Sequence, residues 1–164
     1  MIWKKAKEND RLCETLACLH QIPLFSSLSV RELRRLEPIF HDRRYDTGEV
    51  IFDQGEEGLG MYVVVSGKVR IFTKAESPDG SEKELALLGT GQFFGELALL
   101  DGEKRTASAI AVEPSRLVGF FRPEFLSVLE THGRAGTKIS LQLAKLTAFR
   151  LRQTLEGPAT TSSI

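Results

Sequence analysis

The chain has 164 residues, with 22 lysines and arginines balanced by 22 aspartates and glutamates and 41% hydrophobic residues. That length holds one domain with a real core, and a formal net charge of zero supplies no broad field to draw the protein onto DNA, RNA or anionic lipid. No apolar run is long enough to span a membrane and the start, Met1-Ile-Trp-Lys-Lys-Ala-Lys-Glu, lacks the apolar centre of a secretory signal, so a soluble cytoplasmic protein is expected.

From Asn9 to His20, Leu12, Leu16 and Leu19 recur at helical spacing, which predicts an amphipathic helix within an N-terminal helical segment, residues 1–22. Cys13 and Cys18 lie five residues apart on that helix and point in different directions, so they read as ordinary reduced thiols and not as a disulfide or, with His20, a metal site. No zinc pattern occurs elsewhere, and His41 and His132 read as surface or turn residues. Pro23-Leu24-Phe25 breaks the helix. Ser29-Val30-Arg31-Glu32 is a capping box opening a second short helix, with Leu33 and Leu36 inward and Pro38 to end it.

Between Tyr45 and Phe72 the pattern changes to alternation. Glu49-Val50-Ile51-Phe52, Met61 to Val65 and Lys68 to Phe72 read as strands separated by glycine turns. Asp79-Gly80 is a hairpin signal and Glu84 to Leu88 the returning strand. Ala107 to Val112 and Arg116 to Phe121 are the last two of about eight strands in an all-β sandwich or roll.

Between Gln92 and Ala111 the order of residues builds a small anion site. Gly95 lets backbone come close to a ligand, and Leu97-Ala98-Leu99-Leu100 forms a helical turn whose N–H groups and positive dipole end face it. Arg105 adds a planar fork of donors, followed by Thr106 and Ala107. Glu96 accepts hydrogen bonds from neutral sugar hydroxyls but would repel a multiply charged phosphate chain. The chemistry favours one phosphate charge beside a ribose.

The run FGELALL, a short gap and then RTAS resembles the phosphate-binding cassette of the cyclic nucleotide-binding domain family, over about Pro23 to Arg152. The resemblance implies a mainly β fold with flanking helices: an eight-stranded double-stranded β-helix, or jelly-roll barrel, with N-terminal helices and a long C-terminal helix. It implies that Glu96 binds the ribose 2′-hydroxyl, that Arg105 pairs with the cyclic phosphate, and that amides around Leu97, Ala98 and Thr106 complete the cradle. Ile71 and Leu88 match family positions touching the apolar parts of the nucleotide, although core packing explains both equally well. Lys104 departs from the family, where many members carry proline. Thr106 suits either cAMP or cGMP.

Pro123 opens a helix with Phe125, Leu126 and Leu129 inward, ended by His132-Gly133. A last helix is predicted from near Thr137 to Glu156, with one apolar stripe of Ile139, Leu143 and Leu146 and a second of Ala144, Ala148, Leu151 and Leu155. Lys138, Lys145, Arg150 and Arg152 read as solvated charge. The resemblance makes this helix a lid over the base, with Leu146, Phe149 and Arg150 as candidates, and a possible homodimer seam. The expected organisation is a β-roll over 23–134, a lid and dimer helix over 135–156, and a disordered tail over 157–164 behind Gly157-Pro158.

The expected function is a regulatory module that binds cAMP or cGMP and signals through its C-terminal helix to a protein partner. The chain ends before a helix-turn-helix could fit, so no direct DNA binding is expected. The alternative is an interaction module that kept the fold and lost the ligand. No catalytic residues, metal or cofactor are expected, because no histidine-carboxylate cluster or nucleophile-base pair accompanies the cassette.

Overall fold

The structure, a computed structural model, describes residues 2–74 and 80–156. Among the described residues, eight strands form two four-stranded antiparallel sheets. One sheet runs β1 (His41–Tyr45), β8 (Ser115–Phe121), β3 (Gly60–Ser66), β6 (Phe93–Phe94); the other runs β2 (Val50–Phe52), β7 (Ser108–Ala111), β4 (Val69–Lys74), β5 (Glu82–Leu88). The topology is jelly-roll-like, but the expected barrel does not form. The end strands β1 and β6 of one sheet and β2 and β5 of the other are laddered on one side only, so the sheets stay open. Between them the rings of Phe52, Tyr62 and Phe94 pack at 5.6–6.2 Å. This aromatic layer holds the faces together without requiring the edges to meet.

The unbroken apolar run of β3 serves two cores at once. Val64 and Tyr62 face the opposite sheet, while Met61, Val63 and Val65 face the helices. Those helices are α1 (Ile2–Gln21), α2 (Val30–Leu36), α4 (Arg122–Thr131) and α5 (Gly133–Glu156), with α3 (Leu97–Leu100) between β6 and β7. Leu24, Phe25 and Leu28, between α1 and α2, are fully buried. Arg116 on β8 ties α1 to the sheet, donating to Glu14 at 3.0 Å and Thr15 at 2.8 Å while its Nε reaches Asp42 at 2.9 Å.

Several boundaries differ from the sequence reading. β1 and β6 had no strand signal, since His41-Asp-Arg-Arg-Tyr shows no alternation; β8 supplies its ladder, from His41 opposite Gly119 to Tyr45 opposite Ser115. His41 is not a simple surface residue. It is half-buried, with Nε2 3.0 Å from the Glu124 carboxylate and its ring 5.2 Å from Phe121. α5 starts at Gly133, before Thr137, because one residue, His132, suffices as the corner: its N–H closes α4 on the Val128 carbonyl and its carbonyl accepts from Gly136. The boundary expected at 134/135 therefore falls inside a helix. Cys13 is exposed and Cys18 half-buried, both free thiols. Asp79 of the hairpin signal and the tail from Gly157 lie outside the described residues.

The capping box at α2 is present, with Ser29 and Glu32 bonded reciprocally, and Lys138 of α5 donates to the same Glu32 carboxylate at 2.8 Å. The Lys138 and Ser29 bonds hold Glu32 down to about 2. Stability from a depressed carboxylate is present above its unfolded value of about 4.5 and is lost as pH falls through 2. Thermal melts between pH 5 and 2 are expected to show a falling midpoint that Glu32→Gln flattens; equal slopes in both proteins would remove Glu32 from the acid response.

Candidate functional site

The cassette is held by the loop between β2 and β3. Gly58 N–H donates to the Glu103 carbonyl at 3.1 Å, Arg105 N–H to Glu56 at 2.7 Å, and Gly55 N–H to Arg105 at 2.8 Å. This short ladder fixes the backbone of Arg105 from the far side, leaving its side chain to point back across the cavity. The cavity, about 170 Å³, is lined by Gly95, Glu96, Leu97, Ala98, Arg105, Thr106 and Ala107 of the cassette and by Ile71 of β4. Leu88 does not line it; it packs against the layer between the sheets.

Arg105 is only 8% exposed, with its guanidinium 4.0 Å over the Phe52 ring. Its Nη1 reaches the Gly95 carbonyl at a long 3.4 Å, its buried Nε has no partner, and no carboxylate pairs with it among the described residues. Burial pushes its pKa down, while Tyr62 and Glu56 oppose that shift. A buried cation with spare donors is suited to an anion entering the cavity.

Glu96 is 3% exposed and precedes α3. Its carboxylate accepts a hydrogen bond from Nη1 of Arg150, which α5 brings over the cavity mouth. The ion pair links the cavity to the C-terminal helix. Of the three lid candidates only Arg150 lines the cavity; Phe149 is 59% exposed, and Leu146 is half-buried elsewhere. The sequence reading of Arg150 as solvated charge is corrected here, because its target Glu96 is 54 residues distant and the helix path decides the meeting. Phe52 and Phe94 also line the cavity and were not singled out, since alternating strand residues carry no ligand signal.

Gly95 also makes close approaches within the protein itself. Its φ is +77°, and an added Cβ would lie 2.7 Å from Arg105 Nη1 and 3.1 Å from the Gly60 carbonyl, so the glycine makes room for the arginine. Gly95→Ala should lower stability, since left-handed backbone costs an L-residue about 1–2 kcal/mol, and by displacing the guanidinium should weaken anion binding in the cavity by about tenfold or more. Unchanged affinity in a calorimetric titration would show that the arginine can move aside freely.

The sequence pattern described as cyclic nucleotide-binding domain matches residues 42–132. The chain belongs to this family. It is 42% identical over 131 residues to the cyclic AMP receptor protein of Thermus thermophilus, covering 80% of this chain and 58% of that protein. It is 36% identical to a CRP-like cAMP-activated global transcriptional regulator of Mycobacterium tuberculosis, over 74% of this chain and 50% of that protein. This cyclic nucleotide-binding domain chain thus spans about half the length of those relatives. Among solved structures, the sensor domain of the transcriptional regulator DNR from Pseudomonas aeruginosa superposes with a TM-score of 0.73 at 30% identity, covering 95% of this chain and 99% of that one. The Thermus thermophilus catabolite activator protein gives 0.71 at 42% identity, over 79% and 58%. The matched DNR structure is a sensor domain by name, and this chain is a cyclic nucleotide-binding domain homologous to it and to the CRP-like regulators. No helix among the described residues is long and apolar enough to cross a membrane.

Proposed function

We propose that the chain is a cAMP-responsive sensor in which Arg105 and the cassette amides take the cyclic phosphate, Glu96 takes the ribose hydroxyl, and Arg150 reports occupancy to α5. The observation that carries this is Arg105, buried in the cavity with no carboxylate paired to it among the described residues. A single phosphate charge satisfies it, whereas a polyphosphate would meet Glu96, Asp101 and Glu103 in the same lining. cAMP is favoured over cGMP because the relatives at 36–42% identity carry cAMP in their names, while a cGMP-dependent protein kinase of Caenorhabditis elegans matches at 33% over a smaller share of the chain.

The Arg150–Glu96 pair supplies the coupling. A ribose hydroxyl on Glu96 shares or replaces that bond, so ligand binds one placement of α5 more tightly than another. A coupling of about 1–3 kcal/mol would be ordinary. Titration with cAMP and cGMP in a calorimeter, followed by amide exchange over residues 144–156, tests both parts. Saturable binding tighter for cAMP is expected, with a change in α5 exchange that Arg150→Ala suppresses. No binding by folded protein would favour the interaction-module alternative, and an undiminished α5 response in Arg150→Ala would remove the coupling role.

The second stripe of α5 fits a partner helix. Leu151 and Leu155 are 58% and 77% exposed, as a homodimer seam would leave them in one copy. Sedimentation independent of concentration, at monomer mass, would exclude that seam.

A further inference from the structure

Arg31, Arg34 and Arg35 stand exposed on α2, and Arg31 and Arg35 line a cleft whose other wall is the start of α5, with Arg134 and Lys138. The one carboxylate lining that cleft, Glu32, is already held by Lys138 at 2.8 Å and by the Ser29 backbone at 2.7 Å. None of the four arginines makes an ion pair or a side-chain hydrogen bond among the described residues, whereas Arg70, Arg116 and Arg150 each hold a carboxylate. In a chain of zero net charge this is a local concentration of unmatched positive charge.

An apolar groove continues from the cleft. It runs between α1 and α2, lined by Leu16, Ala17, Leu33 and Val30, and Arg34 closes its rim. Val30 is 60% exposed on the face of α2 that joins groove and cleft. We propose that this continuous surface docks an acidic, amphipathic segment of a partner protein, with its apolar side chains in the α1–α2 groove and its carboxylates on Arg31, Arg35 and Arg134. Guanidinium forks match carboxylates in two-point contact, and the groove offers apolar contact that a phosphate backbone cannot use. A flat lipid surface does not reach into a concave cleft. The surface shares no residue with the ligand cavity, so it can fail while the sensor reading stands, and the reverse.

The test is fluorescence anisotropy of a labelled helical peptide built from leucine and glutamate at amphipathic spacing, titrated with the full chain. Labelled polyglutamate, duplex DNA and phosphatidylserine vesicles serve as competing probes. Saturable binding of the amphipathic peptide is expected, weakened by about tenfold or more in Arg31→Glu/Arg35→Glu and in Val30→Asp, and unchanged in Arg105→Ala. Both surface variants alter exposed side chains, and unchanged circular dichroism confirms their fold. Absence of saturable binding, indifference to either variant, equal binding of polyglutamate, or tighter binding of DNA or vesicles would each overturn the assignment.

Discussion

Arg105→Ala is expected to abolish cAMP binding while leaving the ligand-free protein nearly as stable as the parent. Removing one partner of a buried charge pair typically costs about 2–5 kcal/mol, enough to take a micromolar complex out of measurable range. The asymmetry between bound and free protein follows from the side chain's surroundings. Arg105 is desolvated, has an unpartnered Nε, and is compensated by the Phe52 ring, a 3.4 Å bond to Gly95 and the opposing influence of Tyr62 and Glu56. Deleting it loses that packing but also removes a poorly compensated buried cation, so the two effects offset. A ligand at a hundred times its Kd should stabilise the parent by about 2.7 kcal/mol. The variant should show none of that shift. A thermal scan with and without cAMP checks both halves: a retained ligand shift would disprove the phosphate role, and a large fall in the ligand-free midpoint would make Arg105 structural.

Phe120→Ala should produce the largest loss of stability. Phe120 is 1% exposed on β8 and sits edge-on to Phe25, Phe40 and Phe125 at 5.5–6.1 Å, joining the sheet to the segment before α2, the segment before β1, and α4. Phe-to-Ala truncations in well-packed cores cost about 3–5 kcal/mol through lost transfer energy and the cavity left behind. For a domain of this size that lowers the melting midpoint by about 6–20 °C. The helices should loosen before the sheets, because the layer around Phe52, Tyr62 and Phe94 lies on the opposite face of the β8–β3 sheet. Amide exchange should therefore rise first in α2 and α4. A shift of less than about 2 °C would show that this core repacks.

The two effects separate because β3 and β8 divide the molecule into a helical core and a ligand side. Arg105 belongs to the ligand side, held there by the ladder with residues 55–58. Phe120 belongs to the helical core. α5 touches both, packing Ile139 and Leu143 into the helical core and extending Arg150 to Glu96. The proposed signal therefore runs along one helix that is anchored at its start and engaged by the site near its end.

What the sequence alone determined is what depends on near neighbours. Gly95, Glu96 and Arg105 lie within ten residues of one another, so the sequence already grouped three residues that line one cavity. Ser29 and Glu32 are likewise local, as are the apolar runs that make β3, β4 and β8. The tertiary structure decided whatever depends on which distant surfaces meet. The polar segment 41–45 is a strand only because β8 offers it a ladder, and the sheets stay open because side chains fill the space between them while their edges have no partners across the gap. Leu88 packs against the layer between the sheets, the core-packing alternative, Gly95 is needed to admit an arginine, and Arg150 meets Glu96 across 54 residues. Hydrogen-bond and apolar patterns constrain a chain over a few residues; the path of a helix over a cavity is set by packing of the whole core.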